Sequence, residues 1–172
     1  MRHKLTVRFF TLASLILMAL VIGCGSDTSK IVFVSEVDGD AEIYVIDPES
    51  GLAEPLTENR SQDINPVWSP DGKQVLYVSD GSGDQEISLV DAKHGKIARL
   101  TNIPGDDISP LWAPDGVNLA FISNQDGNAE VYLMPAEGGR PIRITAKTPD
   151  DRMGDWSPDV EWLAFSRGGS VE

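Results

Sequence analysis

The chain has 172 residues, 41% hydrophobic and 24% charged, proportions that suit one soluble globular domain and leave little room for two. Asp and Glu outnumber Lys and Arg by 27 to 14, a net charge of −13, and such a surface repels phosphate backbones and anionic lipid headgroups. Nucleic acid is therefore a poor partner, and two histidines with one cysteine cannot build a Cys/His metal cluster.

In chain order the first element is the N-terminus. "MRHKLTVR" carries Arg2, Lys4 and Arg8 with no acid, residues 9–22 are almost wholly apolar, and Gly23-Cys24 follow. A basic start, a short apolar run and a small residue read as a secretory signal. The run has 14 residues, fewer than the ~20 needed to span a bilayer, and an N-terminal anchor helix is the other reading. Cys24 is the only cysteine, so no intramolecular disulfide can form. Val21-Ile22-Gly23-Cys24 resembles the bacterial lipobox. That resemblance implies cleavage before Cys24, a diacylglycerol on its sulfur (a palmitate-type lipid anchor), and, with Gly25 where a retaining Asp would sit, the outer rather than the inner membrane. The expected divisions are a signal peptide at 1–23, the lipidated cysteine and a short tether at 24–30, and repeats from 31 to 172. Cleavage would remove three cations and leave 11 Lys and Arg against 27 acids, a net of −16. Such a tether reaches about 20 Å when extended, which favours a partner near the membrane.

From residue 31 onward the sequence repeats every 44 residues without an insertion. Trp68, Trp112 and Trp156 keep this spacing, as do Phe33, Tyr77, Phe121 and Phe165, then Glu42, Glu86 and Glu130, and Thr57, Thr101 and Thr145. Within one unit, 74–79 and 86–91 are short β-branched and aromatic runs that predict buried strands. Residues 96–101 predict a third strand, and 107–113 lead into a fourth, shorter one. No stretch after residue 24 carries a helical apolar stripe. Four short strands in 44 residues match one blade of a β-propeller.

The phrase "WSPDG" at 68–72 has a mechanical reading. Pro70 presets φ for a type I turn, Asp71 suits the next position, and Gly72 supplies the positive φ that closes a tight hairpin from the innermost strand to the next. Pro114, Asp115 and Gly116 repeat it, and Pro158 and Asp159 repeat it with Val160 in place of glycine. A β-branched residue is costly at positive φ, so the third turn is expected to take another form. Trp68, Trp112 and Trp156 are expected to pack between neighbouring blades.

Pro66-Val67-Trp68-Ser69-Pro70-Asp71-Gly72-Lys73, with Glu42-Ile43-Tyr44, Glu130-Val131-Tyr132, Leu56-Thr57, Leu100-Thr101 and Ile144-Thr145, resembles the WD-repeat-like propeller repeat of the TolB family. The resemblance covers residues 30–167. It implies an all-β propeller that works as a protein-interaction or scaffold module in the bacterial envelope or periplasm and not as an enzyme. The family's namesake partners the Tol–Pal system through an additional N-terminal domain, for which Gly25–Ser29 leave no room. About three to three and a half blades of four antiparallel strands are present, an incomplete ring. Glu172 is the counterpart of Glu86 and Glu130, so the chain reads as the opening part of a longer propeller. A short chain that closes its ring by self-association is the alternative.

Little in the sequence promises chemistry. No Gly-x-Ser-x-Gly elbow and no phosphate loop occur, and no cofactor is expected. The acidic turns at 37–42, 80–86 and 124–130 lack the spacing of a calcium loop and read as tight turns. Asp71, Asp115 and Asp159 are assigned to the turns. Asp63, Asp107 and Asp151, which precede the innermost strands, are the candidates for a binding face at the channel mouth. Two further readings differ in class: the front of a prolyl-oligopeptidase-like peptidase whose catalytic domain lies beyond residue 172, and a periplasmic carbohydrate or small-ligand binder.

Overall fold

The computed structural model describes residues 30–37, 39–146, 149–168 and 170–171. The signal, Cys24, the tether up to Ser29, and Glu172 lie outside the described residues. The described chain is all strands and turns. In order these are β1 (Ile31–Ser35), β2 (Glu42–Ile46), β3 (Ala53–Pro55), β4 (Asp63–Trp68), β5 (Gln74–Ser79), β6 (Glu86–Asp91) and β7 (Ile97–Arg99). There follow β8 (Asp107–Trp112), β9 (Asn118–Ser123), β10 (Glu130–Pro135), β11 (Ile142–Arg143), β12 (Asp151–Trp156), β13 (Leu163–Arg167) and β14 (Ser170–Val171).

They form four antiparallel meanders: β1-β2-β3, β4-β5-β6-β7, β8-β9-β10-β11 and β12-β13-β14. Two complete blades thus stand between two three-stranded ones, the incomplete propeller that the repeat predicts. One expectation is corrected. The innermost strand is not the short one: β8 has six residues, as β9 does, while the outermost strands have two or three. The outer strand ends early because both Leu100 and Thr101 turn their N–H groups onto one carbonyl, that of Ile87.

The apolar runs form strands because both faces of the middle strands are covered, as in any stacked sheet. β5 and β6 are buried along nearly their whole length, and β7 is exposed. Each innermost strand packs on the two middle strands of the blade before it: β4 on β1 and β2, β8 on β5 and β6, β12 on β9 and β10. Two apolar layers result. One joins Val32, Ile43 and Val45 to Trp68, Val75 and Tyr77, and the other joins Leu76, Val78 and Ile87 to Trp112, Leu119 and Phe121. Trp68 and Trp112 therefore lie between blades, each 7% exposed, while Trp156 is half-buried.

The third turn also corrects its expectation. Val160 has φ 65°, beside 70° at Gly72 and 72° at Gly116. Its N–H donates to the Ser157 carbonyl at 3.0 Å, as Gly72 does to Ser69 and Gly116 to Ala113, both at 2.9 Å. The strain of a left-handed Val is about 1–2 kcal/mol. Flanking bonds offset it: Ser157 Oγ accepts from the Trp162 N–H at 2.9 Å, and Asp159 Oδ1 accepts from the Glu161 N–H at 3.2 Å.

The two outer faces of the array differ. On the first sheet Ile31, Phe33, Tyr44 and Ile46 are half-buried, although their counterparts Val75, Tyr77, Phe121 and Tyr132 are buried in the layers between blades. On the last sheet Arg152, Asp155, Ala164 and Ser166 occupy the positions of Ile64, Val67, Leu76 and Val78, which face the next blade.

Candidate functional site at the blade junctions

Each innermost strand opens on an aspartate, and each aspartate sits at a seam. The N–H groups of Asp63, Asp107 and Asp151 donate to the carbonyls of Ala41, Gln85 and Ala129 in the preceding blade, at 2.7, 2.7 and 2.8 Å. The next residue in that blade is Glu42, Glu86 or Glu130, the first of its strand and also buried. A threonine two residues past the outer strand completes the unit. Thr57, Thr101 and Thr145 each accept, through Oγ1, the N–H of Ile43, Ile87 or Val131 at 2.9 Å. The Thr57 and Thr101 hydroxyls then donate to Glu42 and Glu86. A buried carboxylate is stable only when donors surround it, so the three junctions are best compared by what meets their acids.

At the first junction the answer is Asn59. Its N–H donates to Glu42, its side-chain amide donates to Asp63 Oδ2 at 2.7 Å, and Ser79 Oγ donates to Asp63 Oδ1 at 2.6 Å. Burial still pushes the Glu42 carboxyl up, although the Thr57 and Asn59 bonds oppose it. At the third junction arginines take over. Arg167 stands where Ser79 and Ser123 do, with Nε donating to Asp151 Oδ1 at 2.8 Å and Nη2 to Oδ2 at 3.0 Å. Arg143 donates to Glu130 Oε1 at 2.9 Å and to Asp126 at 3.0 Å, and Asn128 donates to Glu130 at 2.8 Å. Burial works to raise the Glu130 carboxyl, but hydrogen bonds from Thr145, Asn128 and Arg143 hold it well below the usual range.

The second junction keeps only Arg99, at the Arg143 position, whose charge acts on Glu86. Ile103 stands at the Asn59 position and Ser123 at the Arg167 position. Asp107 is wholly buried, and neither of its oxygens receives a hydrogen bond of good geometry, though the Ser123 and Thr101 hydroxyls lie close enough to favour its charged form. Burial outweighs them and pushes the carboxyl up; Glu86 beside it is pushed up as well, by burial first and the Asp107 charge in addition.

The candidate aspartates at 63, 107 and 151 thus share one place in the fold, but their side chains are enclosed between blades. Recurrence in register marked Asp, Glu and Thr; Arg143 also recurs, as Arg99, a spacing that could have revealed it, whereas Asn59 and Arg167 each occur once among the repeats and no spacing reveals them. The turn aspartates act locally: Asp71, Asp115 and Asp159 accept the N–H two residues on, at 3.1, 2.9 and 3.2 Å. A cavity of about 300 Å³ opens between two such turns, with Pro70, Asp71 and Gln74 on one side and Trp112, Asp115 and Gly116 on the other. His94 is a surface residue bonded to Asp91 at 3.0 Å, with no nucleophile in that pair. Among the described residues no group of three His, Cys, Asp or Glu converges as a metal set, and no helix is long and apolar enough to cross a membrane.

The family model described as the TolB beta propeller domain matches residues 24–102 and again 81–171. The chain belongs to the TolB β-propeller family. The Tol-Pal system protein TolB of Geobacter sulfurreducens is 44% identical over 50 residues, which are 29% of this chain and 12% of that protein. The crystal structure of TolB from Acinetobacter baumannii is similar with a TM-score of 0.69 and 30% identity, over 82% of this chain and 36% of that one. An oligogalacturonate lyase in complex with manganese has the same TM-score at 20% identity, over 86% of this chain and 45% of that one, a likeness of fold alone. This TolB-family chain therefore spans less than half the length of each of these three proteins.

Proposed function

We propose that this chain is the TolB-like propeller portion of an exported, lipid-anchored envelope protein, on the periplasmic side of the outer membrane, and that it docks a protein partner without catalysing a reaction. The observation that carries the reading is the use of the recurrent acids. Glu, Thr and Asp at the junctions are committed to holding strands and blades together and Asp at the turns to closing the hairpins, which leaves surface and shape as the working parts. The family match along nearly the whole chain supports the same reading, as does the name of the Geobacter relative, a Tol-Pal system protein. A net charge of −13 favours a partner with a basic surface and gives an association rate that falls with salt.

Closure of the ring by a second copy, head to tail, is disfavoured by the two outer faces. It would seat Phe33 and Ile46 on Arg152 and Asp155, burying charge against an apolar sheet. The test is palmitate labelling of the native protein in membrane fractions, followed by crosslinking and recovery of what is bound. A labelled protein that carries a basic envelope protein supports the reading. An unlabelled product, or recovery of an attached hydrolase domain in the same polypeptide, overturns it.

A further inference from the structure

Because the three junctions come from one repeat, each shows what the others lack. The side-chain amide of Asn59 meets the first aspartate, and the Arg167 guanidinium meets the third. At the second, Asp107 is 0% exposed with both oxygens unpaired. The charges that face it are mostly of its own sign. Asp106, from the turn before β8, acts on Asp107; Asp107 in turn acts on Glu86 in the preceding blade, where Asp84 adds to it and the cation Arg99 opposes it from the exposed strand β7. From β9 comes only a hydroxyl, that of Ser123. An ionised, unpaired carboxylate is strongly disfavoured in such a place, and no guanidinium meets Asp107 as Arg167 meets Asp151.

We propose that Asp107 carries a proton at neutral pH and that this proton makes the second junction a pH-sensitive latch between the two complete blades. The protonated acid is itself a donor. The proton removes the buried charge that Asn59 and Arg167 compensate at the aspartates on either side. The raised carboxyl of Asp107 agrees with this geometry. The sign follows directly. Between the ordinary aspartate range and the raised value, the folded chain holds a proton that the unfolded chain has lost, so stability falls as pH rises. Loss of that proton leaves Asp107 charged beside Glu86 and loosens the seam between β8 and β6.

The test compares Asp107→Asn with Asp63→Asn in the full chain, by melting temperature and hydrogen exchange between mildly acidic and alkaline pH. Asparagine gives position 107 a permanent neutral donor of the same shape. The expected result is that D107N melts a few degrees above the wild type at alkaline pH and loses the wild-type slope there, with slower exchange along β8. D63N, which weakens an acid already held by Asn59 and Ser79, is expected to melt lower. A D107N protein less stable than the wild type at every pH overturns the proposal, because Asp107 would then be ionised and held. The carbon-13 shifts of the wild-type aspartate carboxyls give a second readout that needs no variant: one carboxyl still protonated at neutral pH supports the latch, and none overturns it.

Discussion

Arg167 grips Asp151 through two parallel hydrogen bonds, 2.8 and 3.0 Å long, at the position where Ser79 makes a single bond to Asp63. The fork geometry suits a carboxylate, and both groups are enclosed, with 11% and 0% of their side chains exposed. Arg167→Ala leaves Asp151 charged and unmatched, and breaking a buried pair in this way costs about 3–5 kcal/mol. Lysine is expected to recover only part of the loss, because it lacks the fork. Hydrogen exchange localises the effect: β12 and β13 lose protection while β5 and β6 keep theirs.

Val160 gives a prediction of the opposite sign. Its turn keeps the geometry of the two glycine turns at a strain of about 1–2 kcal/mol, and the site needs no side chain there. Val160→Gly is expected to stabilise the last blade by about 1 kcal/mol, less than the full strain because glycine gains freedom in the unfolded chain. Gly72→Val, which installs the same strain where it is now absent, is expected to lose a similar amount. Urea midpoints of the two variants are the check.

The blades themselves were legible in the residues. Regular spacing placed Trp68 and Trp112, the turn glycines and the middle strands, because each repeat solves one packing problem with the same side chains. Val160 was misjudged for a physical reason. Propensity weighs a residue alone, whereas Ser157 and Asp159 keep the loop closed around it. The junctions were half legible. Glu42, Thr57 and Asp63 recur, but Asn59 and Arg167, the donors that meet the first and third aspartates, come from positions where the repeats diverge. A pattern built on likeness cannot show what differs.

Trp112 closes the layer between the complete blades, packed against that cluster and donating its indole N–H to the Val67 carbonyl at 3.4 Å. Trp112→Ala is expected to cost about 3–5 kcal/mol, and phenylalanine less, since it refills most of the volume. Trp162 is the control. It is 73% exposed, and its loss should fall within about ±0.5 kcal/mol. Unfolding midpoints separate the two, and the red shift of Trp112 fluorescence on unfolding identifies which layer opens.

Acid stability should follow Glu130. Burial acts to raise its carboxyl, but Thr145, Asn128 and Arg143 bonds win and hold it near 2, against an ordinary value of 4.5. A depressed acid stabilises the folded state above its unfolded value and loses that contribution as pH falls toward the folded one. The third junction is therefore expected to weaken from about pH 4.5 downward, the reverse of the trend assigned to Asp107. Glu130→Gln removes the titrating group but also the charge that pairs with Arg143 at 2.9 Å. It should lower the urea midpoint at neutral pH and flatten its decline in acid. An unchanged decline would show that the acid sensitivity arises elsewhere.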